Sequence, residues 1–288
     1  MPWPSWNQAG VTCLVLLLVW AVARRSDRPK VQTGAAFALE VALISFLYML
    51  WRLARQLPLT QEEGAYERGR WIYDVQRAVH LPSELSMQHW VLQHRWLAEI
   101  TVDYYATVHV PALLIFLVWL WSRHRDDYPR WRNALAITTG FCLFIRFIRV
   151  APPRLMPGLG FIDLGRYMGR DIYGPVGTGA SDQFAAMPSI HIAWAAIVGL
   201  GVWHVTSSRW RIVGPLHLVI TFWAVMATAY HWWLDGLVAV ALVAIALAID
   251  AGVRRAVARV RAGKEPDGPD DPEGADPSPA PPELVPSG

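Results

Sequence analysis

Seven apolar runs divide the chain, at about residues 9–23, 34–52, 104–122, 133–150, 188–206, 212–230 and 233–252. Each approaches the ~20 residues that a helix needs to cross a hydrocarbon core. Hydrophobic residues make up 54% of the chain, charged residues only 17%, and 16 tryptophans gather mainly near run ends, where they serve as interfacial anchors. The expected fold is therefore all-α: a polytopic membrane helical bundle with six or seven transmembrane helices. The first run is short and is followed, not preceded, by basic residues, which fits an anchor with its N-terminus outside better than a cleaved signal peptide.

Charge supports this reading. The net charge of +3 comes from short arginine clusters between runs, which excludes a nucleic-acid surface. The clusters "RRSDRPK" (24–30), "SRHRDDYPRWR" (122–132), "SSRWR" (207–211) and "RRAVARVRAGK" (254–264) follow alternate crossings. By the positive-inside rule they are cytoplasmic, and the connections 55–100, 151–187 and the turn near 231 lie outside. Cys13 and Cys142 both fall inside apolar runs, where a thiol behaves as a small hydrophobe, so neither a disulfide framework nor a zinc site is implied.

The outer segment 64–97 mixes tryptophan and aliphatic residues with Arg, Glu and Gln at helical spacing. It reads as two short interfacial helices broken near Pro82, a solvated lid over the bundle or, alternatively, a direct contact for substrate. Residues 264–288, rich in Pro, Gly and acid, read as a disordered cytoplasmic tail.

Polar residues at membrane depth are expensive and so point to function. Ser189 and His191 open the fifth run in "MPSIHIAWA"; His231 and Asp235, four apart on one helical face, open the seventh in "HWWLDGLVAV". Both pairs emerge on the outer side. A carboxylate bonded to one imidazole nitrogen makes the other a better nucleophile or base. Just upstream, "RFIRVAPPRLMPGLG" concentrates Arg146, Arg149 and Arg154, whose planar forks suit phosphate. This inventory suits phosphoryl transfer from a lipid phosphate and requires no metal or cofactor. His109, near the same outer surface, is a candidate for substrate-headgroup recognition. Duller readings stand beside these: Ser189 as a helix N-cap, His231 and Asp235 as a structural pair or, with His191, as metal ligands, the arginines as headgroup anchors, and Glu40 as a packing residue.

"PSIH" followed by "HWWLD", with the two histidines forty residues apart, resembles the type 2 phosphatidic acid phosphatase superfamily, whose members carry Pro-Ser-x-His and a later His-x-x-x-Asp at the ends of core helices. The aliphatic residue between Ser189 and His191, the aromatic pair after His231 and the proline-rich "APPRL" look like its inositol phosphotransferase branch, which includes the fungal inositol phosphorylceramide synthase. The resemblance covers roughly residues 100–252. It implies that His231 is a nucleophile forming a phosphohistidine, aligned by Asp235, with His191 as general acid, Ser189 bonding a phosphate oxygen and Arg154 supplying positive charge. The chain also departs from the pattern: Phe147 stands where the first motif has Lys, Leu155 where it has Pro, and Ala224 and Val225 where the third motif begins Ser-Arg. Arg146 or Arg149 is available as a substitute cation.

The expected organisation is N-terminal transmembrane helices plus outer interfacial helices over 1–99, a catalytic core over 100–255, and the tail. The expected protein is integral to the plasma membrane, multi-pass, with an extracytoplasmic site that takes a lipid phosphate or phospholipid and passes the group to water or to an alcohol acceptor such as inositol. The alternative is a non-catalytic lipid-binding or transport protein, although no internal repeat is evident.

Overall fold

The structure is a computed structural model that describes residues 4–54, 64–170, 172–173 and 183–262. The expected tail at 264–288 and part of the 151–187 connection lie outside the described residues. Two compact units are present, residues 1–250 and 251–288; the described part of the second, 251–262, is helical, and the site lies wholly in the first.

The first unit is all-α. A capping box, in which Ser5 and Gln8 exchange side-chain and backbone bonds, starts α1 (Trp6–Ala23) before its apolar run begins. It pairs along α2 (Pro29–Ala54). The outer segment forms α3 (Ala65–Ala78) and α4 (Glu84–Leu92), broken around Pro82 as expected, with Ser83 capping the second.

The run expected at 104–122 is bent. It forms α5 (Arg95–Thr107) and α6 (His109–Arg123), which meet at 50°. Pro111 explains the elbow: it has no N–H for the carbonyl of Thr107 and its ring crowds that carbonyl. The bend turns His109 inward. Next come α7 (Tyr128–Ile145), the single-turn α8 (Leu164–Tyr167), α9 (Ile190–Val205), α10 (Val213–Ala227) and α11 (Trp233–Ala262).

By length and composition, four of the described helices can cross a membrane (α1, α2, α10 with the short turn before it, and α11), or five if α5 and α6 form one bent span. The sequence led to six or seven. The difference lies in α7, whose first turns carry Arg130 and Arg132, and in α9, which is apolar but only 16 residues long.

The core sits where α9 packs along α10 and against α6 and α7. Gly199 and Gly214 face each other there; a Cβ on Gly214 would stand 2.8 Å from the Gly199 carbonyl oxygen, so only glycine permits this approach. Glu40 is more than packing. Its carboxylate takes Arg132 Nη1 at 2.6 Å on both oxygens, Arg132 bonds Asn133, and Asn133 donates to Asp250 at 2.8 Å. This chain of bonds ties α2, α7 and α11 together. Asp250 stands fifteen residues beyond Asp235, about 22 Å along the helix.

Candidate active site

Four stretches meet at the start of α11. Val150 and Ala185 form an isolated parallel bridge, with Val150 N–H donating to Phe184 O at 2.8 Å and Ala186 N–H to Val150 O at 3.3 Å. That bridge delivers the "MPSIH" turn. Ser189, wholly buried, caps α9 by accepting the Ile192 amide at 3.4 Å, as expected of it, while its own N–H donates to the Asp235 carbonyl at 3.2 Å. The openings of α9 and α11 are thereby fastened together.

α10 ends with Ala229 in the left-handed region at φ 59°, a conformation more usual for glycine, and the chain then turns sharply into His231. Arg154 N–H holds that turn by donating to Ala229 O at 3.0 Å. The His231 ring lies with Nδ1 2.7 Å from the Ala186 carbonyl and 3.4 Å from Asp235 Oδ2. A carbonyl and a carboxylate both accept, so the hydrogen they meet sits on Nδ1. Asp235 Oδ2 also accepts the Trp232 amide at 2.7 Å, and its Oδ1, buried, has no hydrogen-bond partner among the described residues. Trp232 fixes the loop in turn, its indole donating to Ala151 O at 2.9 Å.

His191 lies 5.9 Å from His231 between ring centroids, and His109 lies 4.9 Å behind His191. Tyr105 stacks 4.5 Å from His191 and 4.7 Å from Tyr230. His109 is buried, and neither ring nitrogen has a hydrogen-bond partner among the described residues.

Arg154 is the cation in this group. Its side chain is only 3% exposed; the guanidinium sits 4.5 Å over Tyr173 and 5.3 Å over Tyr230. Nη2 donates to Gln183 at 2.7 Å, Nη1 pairs with Asp163 at 3.3 Å, and Nε is buried without a partner among the described residues. A buried, unpartnered donor on a held guanidinium is suited to an anionic oxygen. Tyr230 donates to Asp163 at 3.0 Å; burial, then the Asp163 charge, hold its phenol well above the usual tyrosine range. Gly165 makes room, since a Cβ there would run into the Tyr230 hydroxyl and stand 2.9 Å from Arg170 O.

Thus His191, His231, Asp235, Ser189, His109 and Arg154 come together. Arg146 and Arg149 are both buried nearby in sequence, but Arg146 Nη2 donates to Ala54 O at the end of α2 at 2.8 Å, and the Arg149 carbonyl accepts Arg68 Nε at 2.5 Å.

Several participants escaped the sequence reading. Gln76, Glu84 and Gln88 on α3 and α4 are at most 1% exposed and bond the loops of the site. Burial pushes the Glu84 carboxyl above the usual carboxylate range, against the lowering effect of its amide donors and Arg77. A signal for them exists: Gln76 continues the apolar stripe Ala65, Gly69, Ile72, where a polar residue is out of place.

A family model described as the PAP2 superfamily matches residues 70–249. The chain belongs to the PAP2 superfamily. The match runs from within α3 to within α11 and includes every site residue named above; α1 and α2 lie outside it. No curated protein and no solved structure matches the chain. PAP2 membership makes the protein an enzyme of phosphoric esters, and its long apolar helices give it a membrane setting.

Proposed function

We propose that the protein removes a phosphoryl group from a lipid phosphate, or transfers a phospho-headgroup from a phospholipid, through a covalent phosphohistidine on His231, without a metal. The observation that carries this reading is the environment of Nδ1. Held by Ala186 O and Asp235 Oδ2, it leaves the Nε2 lone pair as the nucleophile. Nε2 attacks phosphorus, the Nε2–P bond forms and the P–O bond to the lipid breaks. His191 gives a proton to the departing alkoxide. In the second half, water or an alcohol attacks phosphorus, His191 takes its proton, and the N–P bond breaks to return neutral His231.

Arg154, through its Nε, and the Ser189 hydroxyl face the phosphate oxygens in this reading, Arg146 and Arg149 add positive potential, and His109 borders the headgroup. Asp235 offsets the positive charge that grows on the imidazole. The residues around the two motifs favour an alcohol acceptor, with inositol as the first to try. The arginine clusters at 122–132 and 207–211 follow the ends of α6 and α9 remote from Ser189, which supports an extracytoplasmic site at the plasma membrane.

The test uses purified protein in detergent with a chelator and a panel of lipid phosphates and phospholipids, inositol present or absent, scoring free phosphate, released phospho-headgroup and phosphorylated inositol against His231→Ala. Turnover in the wild type that disappears in the variant is the expected result, and the product separates hydrolase from transferase. No turnover overturns the reading in favour of a lipid-binding role, and turnover that survives in His231→Ala overturns the phosphohistidine.

A further inference from the structure

The first turn of any helix leaves amide hydrogens without partners inside the helix. In α11 these amides are met from outside. Trp233 N–H donates to Glu84 Oε1 at 3.3 Å and Leu234 N–H to Gln76 Oε1 at 3.0 Å. The two acceptors are locked to each other, Gln76 Nε2 donating to Glu84 Oε1 at 2.7 Å, and Arg77 pairs with Glu84 Oε2 at 3.3 Å. The corner between α3 and α4 closes over the same turn, with Pro82 O accepting the Trp233 indole at 2.9 Å and Arg77 Nη2 at 2.9 Å. Gln88 works one step away: it exchanges bonds with Ile162 at 2.9 and 3.0 Å, beside the Asp163 that holds Arg154 and Tyr230.

We infer that Gln76 and Glu84 are positioning residues for the nucleophile. They hold the amides two and three residues after His231, next to the Trp232 amide that Asp235 itself holds, and so set the rotation of the turn from which His231 and Asp235 project. A surface lid does not account for this arrangement. Such a lid needs only an apolar inner face, whereas burying a glutamine and a carboxylate is costly unless their bonds are made. Here the bonds of the pair go to the catalytic turn, to Arg77, between the two and, for Glu84, to its own amide. The inference rests on the phosphohistidine reading above.

The test measures kcat and KM of the full chain in detergent on the lipid phosphate turned over fastest, for Gln76→Leu, Gln76→Asn, Glu84→Gln, His231→Ala and, as a control on the exposed face of α3, Asp74→Ala. Loss of the Gln76 acceptor lowers kcat per folded molecule about 10-fold or more, because small misplacements of a reacting group are costly, and leaves KM within about twofold. Glu84→Gln keeps the shape but weakens the acceptor facing Trp233 and lowers kcat about fivefold with KM unchanged. Asp74→Ala keeps wild-type values.

A merely structural role moves thermal stability and leaves kcat per folded molecule intact. Wild-type kcat in Glu84→Gln and in whichever Gln76 variant folds, with His231→Ala inactive, overturns the positioning role alone. If neither Gln76 variant folds, the isosteric Glu84→Gln decides. Activity in His231→Ala overturns the underlying reading instead.

Discussion

The closest acceptor to His231 Nδ1 is the backbone carbonyl of Ala186, at 2.7 Å, with the Asp235 carboxylate farther off at 3.4 Å. Orientation of the ring and compensation of its charge are therefore divided between two groups. In a dyad where the carboxylate alone fixes the tautomer, its amide replacement costs about 10⁴-fold. Here the carbonyl keeps the hydrogen on Nδ1 after Asp235→Asn. The expected loss in kcat is smaller, about 10² -fold, the size of one removed electrostatic contact. Steady-state kinetics beside His231→Ala check this, and equal inactivity of the two variants contradicts it.

Arg154 depends on its shape as well as its charge. Its plane covers Tyr173 and Tyr230 while its two ends reach Gln183 and Asp163. A lysine ammonium cannot do both. Arg154→Lys is expected to lose about as much kcat/KM as Arg154→Ala, about 10²-fold or more. A lysine variant with most of the wild-type rate would show that charge alone suffices.

The Glu40–Arg132 pair stands at the other end of the bundle and serves cohesion. With the side chains 20% and 22% exposed, removing one partner strands a charge among packed helices. Glu40→Ala is expected to lower stability by about 3 kcal/mol, and the double replacement of Glu40 and Arg132 by leucine to recover most of it. Thermal unfolding in detergent reads both, and kcat per folded molecule stays at the wild-type value.

Tyr230 gives a pH dependence. Its phenol titrates above the unfolded value of 10.0 because burial and Asp163 disfavour the phenolate. The folded state holds the proton more tightly, so this stabilisation is complete below pH 10 and is lost as pH rises past it. Tyr230→Phe is expected to be less stable near neutrality by about 1 kcal/mol, through the lost bond to Asp163, and to show a shallower fall in unfolding midpoint from about pH 8 to about pH 11.

Much of this molecule was legible in its sequence. Hydropathy located the long helices, and Pro82 marked the break between α3 and α4. Spacing paired His231 with Asp235, and the caps at Ser83 and Ser189 follow from serine chemistry. Hydropathy is silent about direction, however, and the elbow made by Pro111 was hidden inside a continuous apolar run. The Ala186 carbonyl left no trace, because a backbone acceptor has no letter. Gln76 and Glu84 looked like one side of an amphipathic lid; only the folded chain shows that they face α11 and not the solvent.

The acceptors that hold the first turn of α11 come from 149 and 158 residues earlier in the chain. Synthesis makes α3 and α4 early, and their acceptors then wait, unmatched, while six further helices are produced. The segment that satisfies them follows all of these in the chain. A chain cut short before residue 233 retains Ser189, His191, Arg154 and His231 yet has no turn on which to set the last of them. The arrangement around His231 is thus completed only once α11 has been made.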